Sequence, residues 1–428
     1  MKTRALLLLS LTLLTACKSP APPASPTLVA RSIATDAKLI PPLVTGLNRF
    51  ALDLYREAPK EGNALYSPLS IATALSLAEL GASGESAKAL HSLLGMPTAN
   101  EHRLALRGLL LRLKGATDTK VPAEKENGDI MPPHALNVSS SLWVANEYPL
   151  ANGFAASALA HYDAAAKTID VSHPEQSAAQ VNAWVSQATN SKIQAIATAQ
   201  DITPLTRLLL VNTVHFRGSW WTPFETYNTK DGEFYPEGAS EPVMVPTMHG
   251  DSSFKGMQDD KVSILEIAYA STRDDVRIAM SLIIPKERDG LRDVESMITP
   301  EQLDRWFEKL TSAYVEVSLP KWRAESSSHL SEVLSRLGIA ALFTDEADLS
   351  GVSTRKGLRL GQILHKTYIE VDETGTEASA TTQMMGPCGE PPVPTEFQID
   401  HPFLYLIRDT KSGVILFIGR MADPRNSP

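Results

Sequence analysis

The chain has 428 residues, 43% of them hydrophobic, 21% charged and 6% aromatic. That is the composition of a folded protein with a large core, and it excludes a disordered, collagen-like or disulfide-scaffold chain. A formal net charge of -9 argues against nucleic acid as a partner.

Lys2 and Arg4 precede an apolar run from Ala5 to Leu14, too short to span a bilayer and shaped like a secretion signal. The run ends in Leu14-Thr15-Ala16-Cys17, which resembles a bacterial lipobox; the alternative is an ordinary signal peptide with a chance cysteine. The expected organisation is a signal peptide over 1–16, a lipidated Cys17 opening a proline-rich tether over 17–40, one domain over 41–425 and a tail over 426–428. Acyl chains, at roughly 0.8 kcal/mol per buried CH2, would hold that domain at a membrane. Lys18 stands where an aspartate would argue for inner-membrane retention, so the expected location is the outer membrane, facing periplasm or cell exterior. With Cys17 acylated, Cys388 has no disulfide partner in the chain, and stability rests on the core.

In the body of the chain, apolar residues recur at helical spacing over Leu43 to Tyr55, then over Glu85 to Leu94 and Glu101 to Leu113. Ser67-Pro68 reads as a cap and first turn for a helix running to Gly81. Lys114 to Pro133 turns polar and reads as an exposed loop, after which Ala135 to Val144 and Thr168 to Val171 read as strands. The second half is richer in strands: Leu208 to Phe216, Val262 to Ala268, Arg277 to Ile284, Tyr314 to Leu319, Lys366 to Val371, Phe403 to Ile407 and Val414 to Arg420. Helices followed by strands, without regular βα alternation, predict an α+β domain.

Catalytic patterns are weak. The 10 histidines show no metal-ligand spacing, so no metal site is expected. Ser353-Thr354-Arg355-Lys356 and Lys411-Ser412-Gly413 are short matches to the elements of penicillin-recognising serine hydrolases, but too few residues lie between them for the helical subdomain that chemistry needs. A cysteine hydrolase pairing Cys388 with His365 or His401 would set its nucleophile in Gly386-Pro387-Cys388-Gly389-Glu390-Pro391-Pro392, with no helix N-terminus to lower the thiol pKa.

One segment has two characters. From Thr376, alternate residues Thr376, Ala378, Ala380, Thr382 and Met384 are small or apolar and uncharged, while Glu377, Ser379, Thr381, Gln383 and Met385 form a mostly polar face. That half-buried strand pattern runs straight into a Gly/Pro-rich loop composition. A strand-forming segment inside a loop is a candidate for two conformational states.

Glu373-Thr374-Gly375-Thr376-Glu377-Ala378-Ser379-Ala380-Thr381-Thr382 resembles the hinge of the serpins, and other motifs of that family follow in order. Asn212 to Trp220, with Pro223-Phe224, is similar to its breach; Ser67 to Ile71 and Leu364-His365-Lys366 are similar to its shutter. His401-Pro402-Phe403 and Phe417 to Arg420 resemble its C-terminal strands, and Ala347 to Gly351 the segment before the loop.

The resemblance implies three β-sheets, about nine helices and an exposed reactive-centre loop near 373–398. It also implies a suicide-substrate mechanism: a protease, serine or possibly cysteine class, cleaves the loop, which inserts into the large sheet and traps the enzyme as a covalent one-to-one complex. On this resemblance the protein is a monomeric inhibitor without cofactors and not an enzyme; a non-inhibitory serpin serving as a cleavable binding or structural module is the alternative. Ser67, Ser70, Asn212 and His365 then hold the sheet shut, and Trp220 packs where the loop enters. Counting from Glu373 puts the scissile bond at Gly389-Glu390, while counting back from His401 moves it towards Pro391, with Cys388 the neighbour on the other side. Neither Gly389 nor Glu390 points to a trypsin-like target.

Overall fold

In a computed structural model of the chain, the described residues are 38–59, 61–95, 98–117, 123–124, 130–131, 134–271, 273–376 and 394–425. Helix α1 (Ile40–Glu57) forms on its apolar stripe and buries Leu43, Leu47, Phe50, Ala51 and Leu54. After strand β1 (Ala64–Tyr66), helix α2 (Pro68–Glu79) is buried all round. Its polar residues tolerate this because the Thr73 and Ser76 hydroxyls donate back to Leu69 O and Ala72 O at 2.8 and 2.7 Å. Ser67 occupies the cap position but does not cap; its hydroxyl donates to Leu416 O at 2.7 Å, tying the helix start to a strand instead.

Next come α3 (Gly84–Leu94), α4 (Ala99–Thr117), β2 (Ala123–Glu124), β3 (Ile130–Met131), β4 (Ala135–Ala145), α5 (Phe154–Tyr162), β5 (Ala165–Ile169), α6 (Pro174–Ala188) and β6 (Leu208–Ser219). The predicted loop after Leu113 is thus partly helix and partly hairpin, since α4 runs to Thr117 and β2 pairs with β3. The remainder is β7 (Lys230–Phe234), β8 (Val243–Gln258), β9 (Val262–Ala268), β10 (Ile278–Pro285), α7 (Leu291–Met297), α8 (Pro300–Glu308), β11 (Thr311–Pro320), β12 (Trp322–His329), α9 (Ser331–Leu334), β13 (Gln362–Asp372), β14 (Gly375–Thr376), β15 (Thr395–Gln398), β16 (Phe403–Asp409) and β17 (Ile415–Met421). Among the described residues this makes nine α-helices.

The strands form a nine-stranded sheet, β1-β17-β16-β10-β9-β8-β11-β15 with β7 on β8, and a six-stranded sheet, β12-β13-β14-β6-β4-β5, with β2 and β3 apart. The long β8 joins two regions of the larger sheet: β7 pairs along its first five residues, β11 from Thr247 to Gly256 and β9 along its last four residues. The main core fills the space between these sheets and α1, α2 and α4. A second cluster covers the other face of the six-stranded sheet, where α6 and the connection after it press Ile193, Ile196 and Ile202 onto Leu209, Val211 and Leu364. β6 is therefore buried on both faces, which explains its opening apolar run from Leu208 to Val211.

A buried polar group ties α1 to α7 and β17. The Tyr55 hydroxyl donates to Glu295 Oε1 at 2.5 Å, and Arg420, 1% exposed, lies 2.6 Å from Glu237 and 3.6 Å from Glu295. Removing the Glu295 carboxylate leaves a buried guanidinium short of its counter-charge. Glu295→Val is expected to cost about 3 kcal/mol or more in urea unfolding; a loss below about 1 kcal/mol would show that the group adds nothing beyond packing.

Candidate functional site

In the six-stranded sheet β13 and β6 lie side by side and parallel, from Gln362 opposite Leu209 to Tyr368 opposite His215. At the far end of this seam the two strands admit β14. Gly375 and Thr376 pair antiparallel with Asp372 and Val371 on one side and with Ser219 and Gly218 on the other. The chain reverses there through a side-chain-built turn: the Asp372 carboxylate accepts from Thr374 N at 2.8 Å, Thr374 Oγ1 at 2.7 Å and Gly375 N at 3.1 Å.

Gly375 has φ of 146°, and a Cβ on it would lie 2.0 Å from Gly218 O and 2.7 Å from Ser219 Cα. Only glycine lets the turn approach β6 this closely. Thr376 follows with no exposed surface, its hydroxyl 2.8 Å from the Tyr269 hydroxyl. Tyr269 stacks on Trp220 with ring centroids 4.5 Å apart, and burial holds its phenol protonated.

Trp220 clasps the turn twice, from Nε1 to Asp372 O at 2.9 Å and from its backbone N–H to Thr374 O at 2.9 Å. Phe224 N–H donates to Glu373 O at 2.8 Å. The Glu373 carboxylate accepts from Lys321 Nζ and from Thr229 Oγ1, each at 2.7 Å. Burial raises its pKa, but the hydrogen bonds from Lys321 and Thr229 outweigh that and hold it below the usual carboxylate range.

Partway along the seam a second cluster crosses it. His365 on β13 stands opposite Asn212 on β6, and His365 Nδ1 donates to Asn212 Oδ1 at 2.8 Å. His365 Nε2 accepts from Ser67 N–H at 3.2 Å, so both ring nitrogens are committed and the neutral tautomer is set by its partners. The Ser70 hydroxyl donates to Asn212 Oδ1 at 2.6 Å, and Asn212 Nδ2 donates to Ser140 Oγ on β4 at 3.0 Å. This network spans β13, β6 and β4 and rests on the start of α2.

Burial drives the His365 pKa down to about 3. A folded-state value below the unfolded value of about 6.5 means that the unfolded chain binds the extra proton. Stability is therefore complete above about pH 6.5 and falls towards pH 3, by up to about 1.4 kcal/mol per pH unit for this group. Buried His102, at about 4, and His134 shift in the same direction. Unfolding at pH 5 is expected to take up close to one proton fewer in His365→Asn than in the parent; equal uptake would mean that His365 is not held neutral.

The structure thus brings together Ser67, Ser70, Asn212 and His365, and separately Glu373, Gly375, Thr376 and Trp220. Glu377, Ala378, Ser379, Ala380, Thr381 and Thr382 lie outside the described residues, as do Cys388, Gly389, Glu390, Pro391 and Cys17. The competing hydrolase residues are committed elsewhere. Ser353 is buried and donates to Pro149 O at 2.8 Å, Lys411-Ser412-Gly413 form the turn between β16 and β17 on Asp409, and His401 lies between Asp400 and Pro285 O. Among the described residues no group of three or more His, Cys, Asp or Glu could hold a metal ion. Lys321, Thr229, Tyr269 and Ser140 were not anticipated. Their partners lie far away in the chain, and single lysines, threonines, tyrosines and serines carry no local signal.

The chain as a whole resembles known proteins. The family model described as serpin (serine protease inhibitor) matches residues 45–424. An uncharacterised serpin-like protein of Thermococcus kodakarensis is 33% identical, over 90% of this chain and 86% of its own length. The crystal structure of Serpin48 of the insect Tenebrio molitor superposes with a TM-score of 0.76 at 29% identity, covering 89% of this chain and 98% of that one. Human thyroxine-binding globulin superposes with a TM-score of 0.79 over 90% of this chain and 99% of its own at 24% identity, a likeness of fold alone. With the family model spanning the domain and the archaeal relative aligned over most of both chains, this protein belongs to the serpin family.

Proposed function

We propose that this serpin is an inhibitor that traps a protease as a suicide substrate, with the scissile bond at Gly389-Glu390. The observation that carries the proposal is the seating of Gly375 and Thr376 between β13 and β6, at the head of a seam otherwise closed by direct parallel pairing. A protease nucleophile adds to the Gly389 carbonyl carbon, the Glu390 amine departs with a proton, and an acyl-enzyme remains. The freed segment then extends β14 along the seam, antiparallel to both neighbours.

Continuing the register of Thr376 places Ala378 between Ile369 and Phe216, Ala380 between Thr367 and Val214, and Thr382 between His365 and Asn212. These flanking residues have no exposed surface, so only small uncharged side chains fit without loss. The sequence supplies them at each of these positions. Inhibition then depends on a race in which insertion must displace the protease before water hydrolyses the acyl bond.

The fold is shared with a thyroxine-binding globulin, so fold alone does not decide between inhibition and ligand binding; the small-residue face supports inhibition. Export and acylation at Cys17 would place this inhibitor at the outer membrane, where secreted or host proteases are its natural targets. The deciding experiment mixes the purified chain with subtilisin, elastase, a glutamyl endopeptidase and papain, followed by denaturing gels and mass spectrometry of the released peptide. A denaturant-stable band at the summed mass, with the peptide beginning at Glu390, is expected with at least one enzyme. Complete cleavage by all four with no such band would overturn inhibition.

A further inference from the structure

Away from the seam, α2, α3, α4 and α5 meet at a junction that is polar at its centre. Glu79, the last residue of α2, is 1% exposed. Its carboxylate accepts from Arg103 of α4 at 3.1 and 3.2 Å and lies 2.8 Å from His91 Nε2 of α3. Beside Arg103 on α4, His102 has no exposed surface. The Ser76 hydroxyl donates to Ala72 O at 2.7 Å, so in its 2.6 Å contact with His102 Nε2 it accepts. His102 Nε2 therefore carries the hydrogen and Nδ1 the lone pair. That Nδ1 is buried without a hydrogen-bond partner among the described residues.

Such a nitrogen is tolerated only while it is neutral. A proton on it would be a buried donor with no acceptor and a second cation beside Arg103. The one carboxylate at hand is already shared by Arg103 and His91. The charged groups acting on His102 are Glu79 from α2, His91 from α3 and Arg103 from α4. From α5 come His161 and Tyr162, whose Nδ1 and hydroxyl are also buried without partners among the described residues. The charged groups acting on His161 are Arg107 and Arg103 from α4 and Glu79. Burial is the first cause that lowers both histidines, His102 to about 4. If α4 moved away, water would reach them and restore an ordinary value of about 6.5. The open junction thus binds more protons than the closed one. Closure is fully favoured above about pH 6.5 and is lost as the pH falls towards 4.

We propose that this junction is an acid-operated latch, in which protonation of His102 and His161 releases α4 from α2 and α3 before the sheets unfold. α4 is the part that moves, because it carries His102, Arg103 and Arg107 and its departure hydrates both histidines. α2 stays, being buried all round and tied at its start by Ser67 to Leu416 O and by Ser70 to Asn212. Leu106, Leu109 and Leu113, buried on α4, set how often it opens, and the histidines set the pH dependence. One end of α2 thus braces the seam while the other holds the latch. Nothing in the latch requires a cut loop, so it stands whether or not the protein inhibits a protease.

Amide hydrogen exchange of the full chain between pH 7 and pH 5, corrected for the intrinsic pH dependence of exchange, tests the latch. Moving His102 from about 6.5 when open to about 4 when closed makes opening of α4 about 20-fold more frequent at pH 5 than at pH 7. β6, inside the six-stranded sheet, should remain about tenfold or more better protected than α4 at pH 5. The slope of log opening against pH between 5 and 6 should reach about one proton, a readout that needs no variant. His102→Gln combined with His161→Gln keeps an N–H for Ser76 and should hold the change in α4 within about threefold. An unchanged melting temperature at pH 7 would show that this variant folds. Three results would each overturn the latch: a slope near zero in α4, equal loss of protection in α4 and β6, or the parent's slope retained in the folded double variant.

Discussion

Thr376→Arg is expected to leave the protein cleavable and to abolish trapping. Thr376 has no exposed surface and lies between Val371 and Gly218, with its hydroxyl on Tyr269. An arginine there must either carry an unpaired charge into the space beneath Trp220 and Tyr269 or hold β14 out of the sheet. Burying an unpaired cation costs several kcal/mol even after local relaxation. Since about 1.4 kcal/mol changes a rate tenfold, a penalty of about 3 kcal/mol on the first step of insertion slows it more than a hundredfold. Hydrolysis of the acyl-enzyme then wins the race. Gel densitometry against a protease trapped by the parent should show the covalent band falling to about 1% or less, with cleavage at the same bond and rate. Thr376→Ser, which keeps the hydroxyl and the small volume, should trap normally. A Thr376→Arg protein that still traps would mean that the first turn of β14 need not enter the sheet.

Much of this arrangement could be read before the fold was known, and the exceptions have physical causes. β6, β9, β10, β16 and β17 announce themselves as apolar runs because each is largely buried. β8 does not, because Pro246 and Gly250 interrupt it and alternate residues face water; pairing with β7, β9 and β11 holds it extended. β12 is hidden in the same way by Ser326-Ser327-Ser328 on a half-exposed strand. The small-residue alternation from Thr376 was legible because side-chain volume is something the sequence states directly. The clamp on Glu373 was not, since Lys321 and Thr229 reach it from separate connections, one between β11 and β12 and one just before β7. Asn212 and His365 lie between these cases: family resemblance singled them out, but their direct hydrogen bond follows from the parallel register of β6 and β13.

That register also sets the energy of the seam. β13 and β6 are joined by a parallel ladder, the less stable pairing per residue, and are held at mid-length by one neutral histidine and one amide. A strand added between them would be antiparallel to both and would replace one ladder with two. The closed sheet is thus a state with a better-bonded alternative at hand. On the proposed function, the link to be cut is the covalent continuity between Thr376 and β15, which pairs parallel to β11 in the other sheet.

Cutting that continuity is expected to raise the melting temperature by about 20 °C or more. From Thr376 at the head of the seam, the segment to Met385 can extend opposite Glu370 down to Gln362 on β13 and opposite Arg217 down to Leu209 on β6. Each new backbone hydrogen bond contributes roughly 0.5–1.5 kcal/mol net, on two sides at once, against an ordering cost of about 1–2 kcal/mol per inserted residue. The balance favours insertion because the flanking strands are already ordered, Ala378 and Ala380 displace little packing, and Met384 reaches apolar Ile363 and Leu210. Differential scanning calorimetry before and after nicking the loop with catalytic papain would measure the gain. The cleaved Thr376→Arg variant supplies the control, since it carries the same nick without the means to insert and should melt within about 5 °C of the intact chain. If the nicked parent gained no more than that variant, the loop of this serpin would be a cleavable surface segment, and the seam between β6 and β13 would serve only to close the sheet.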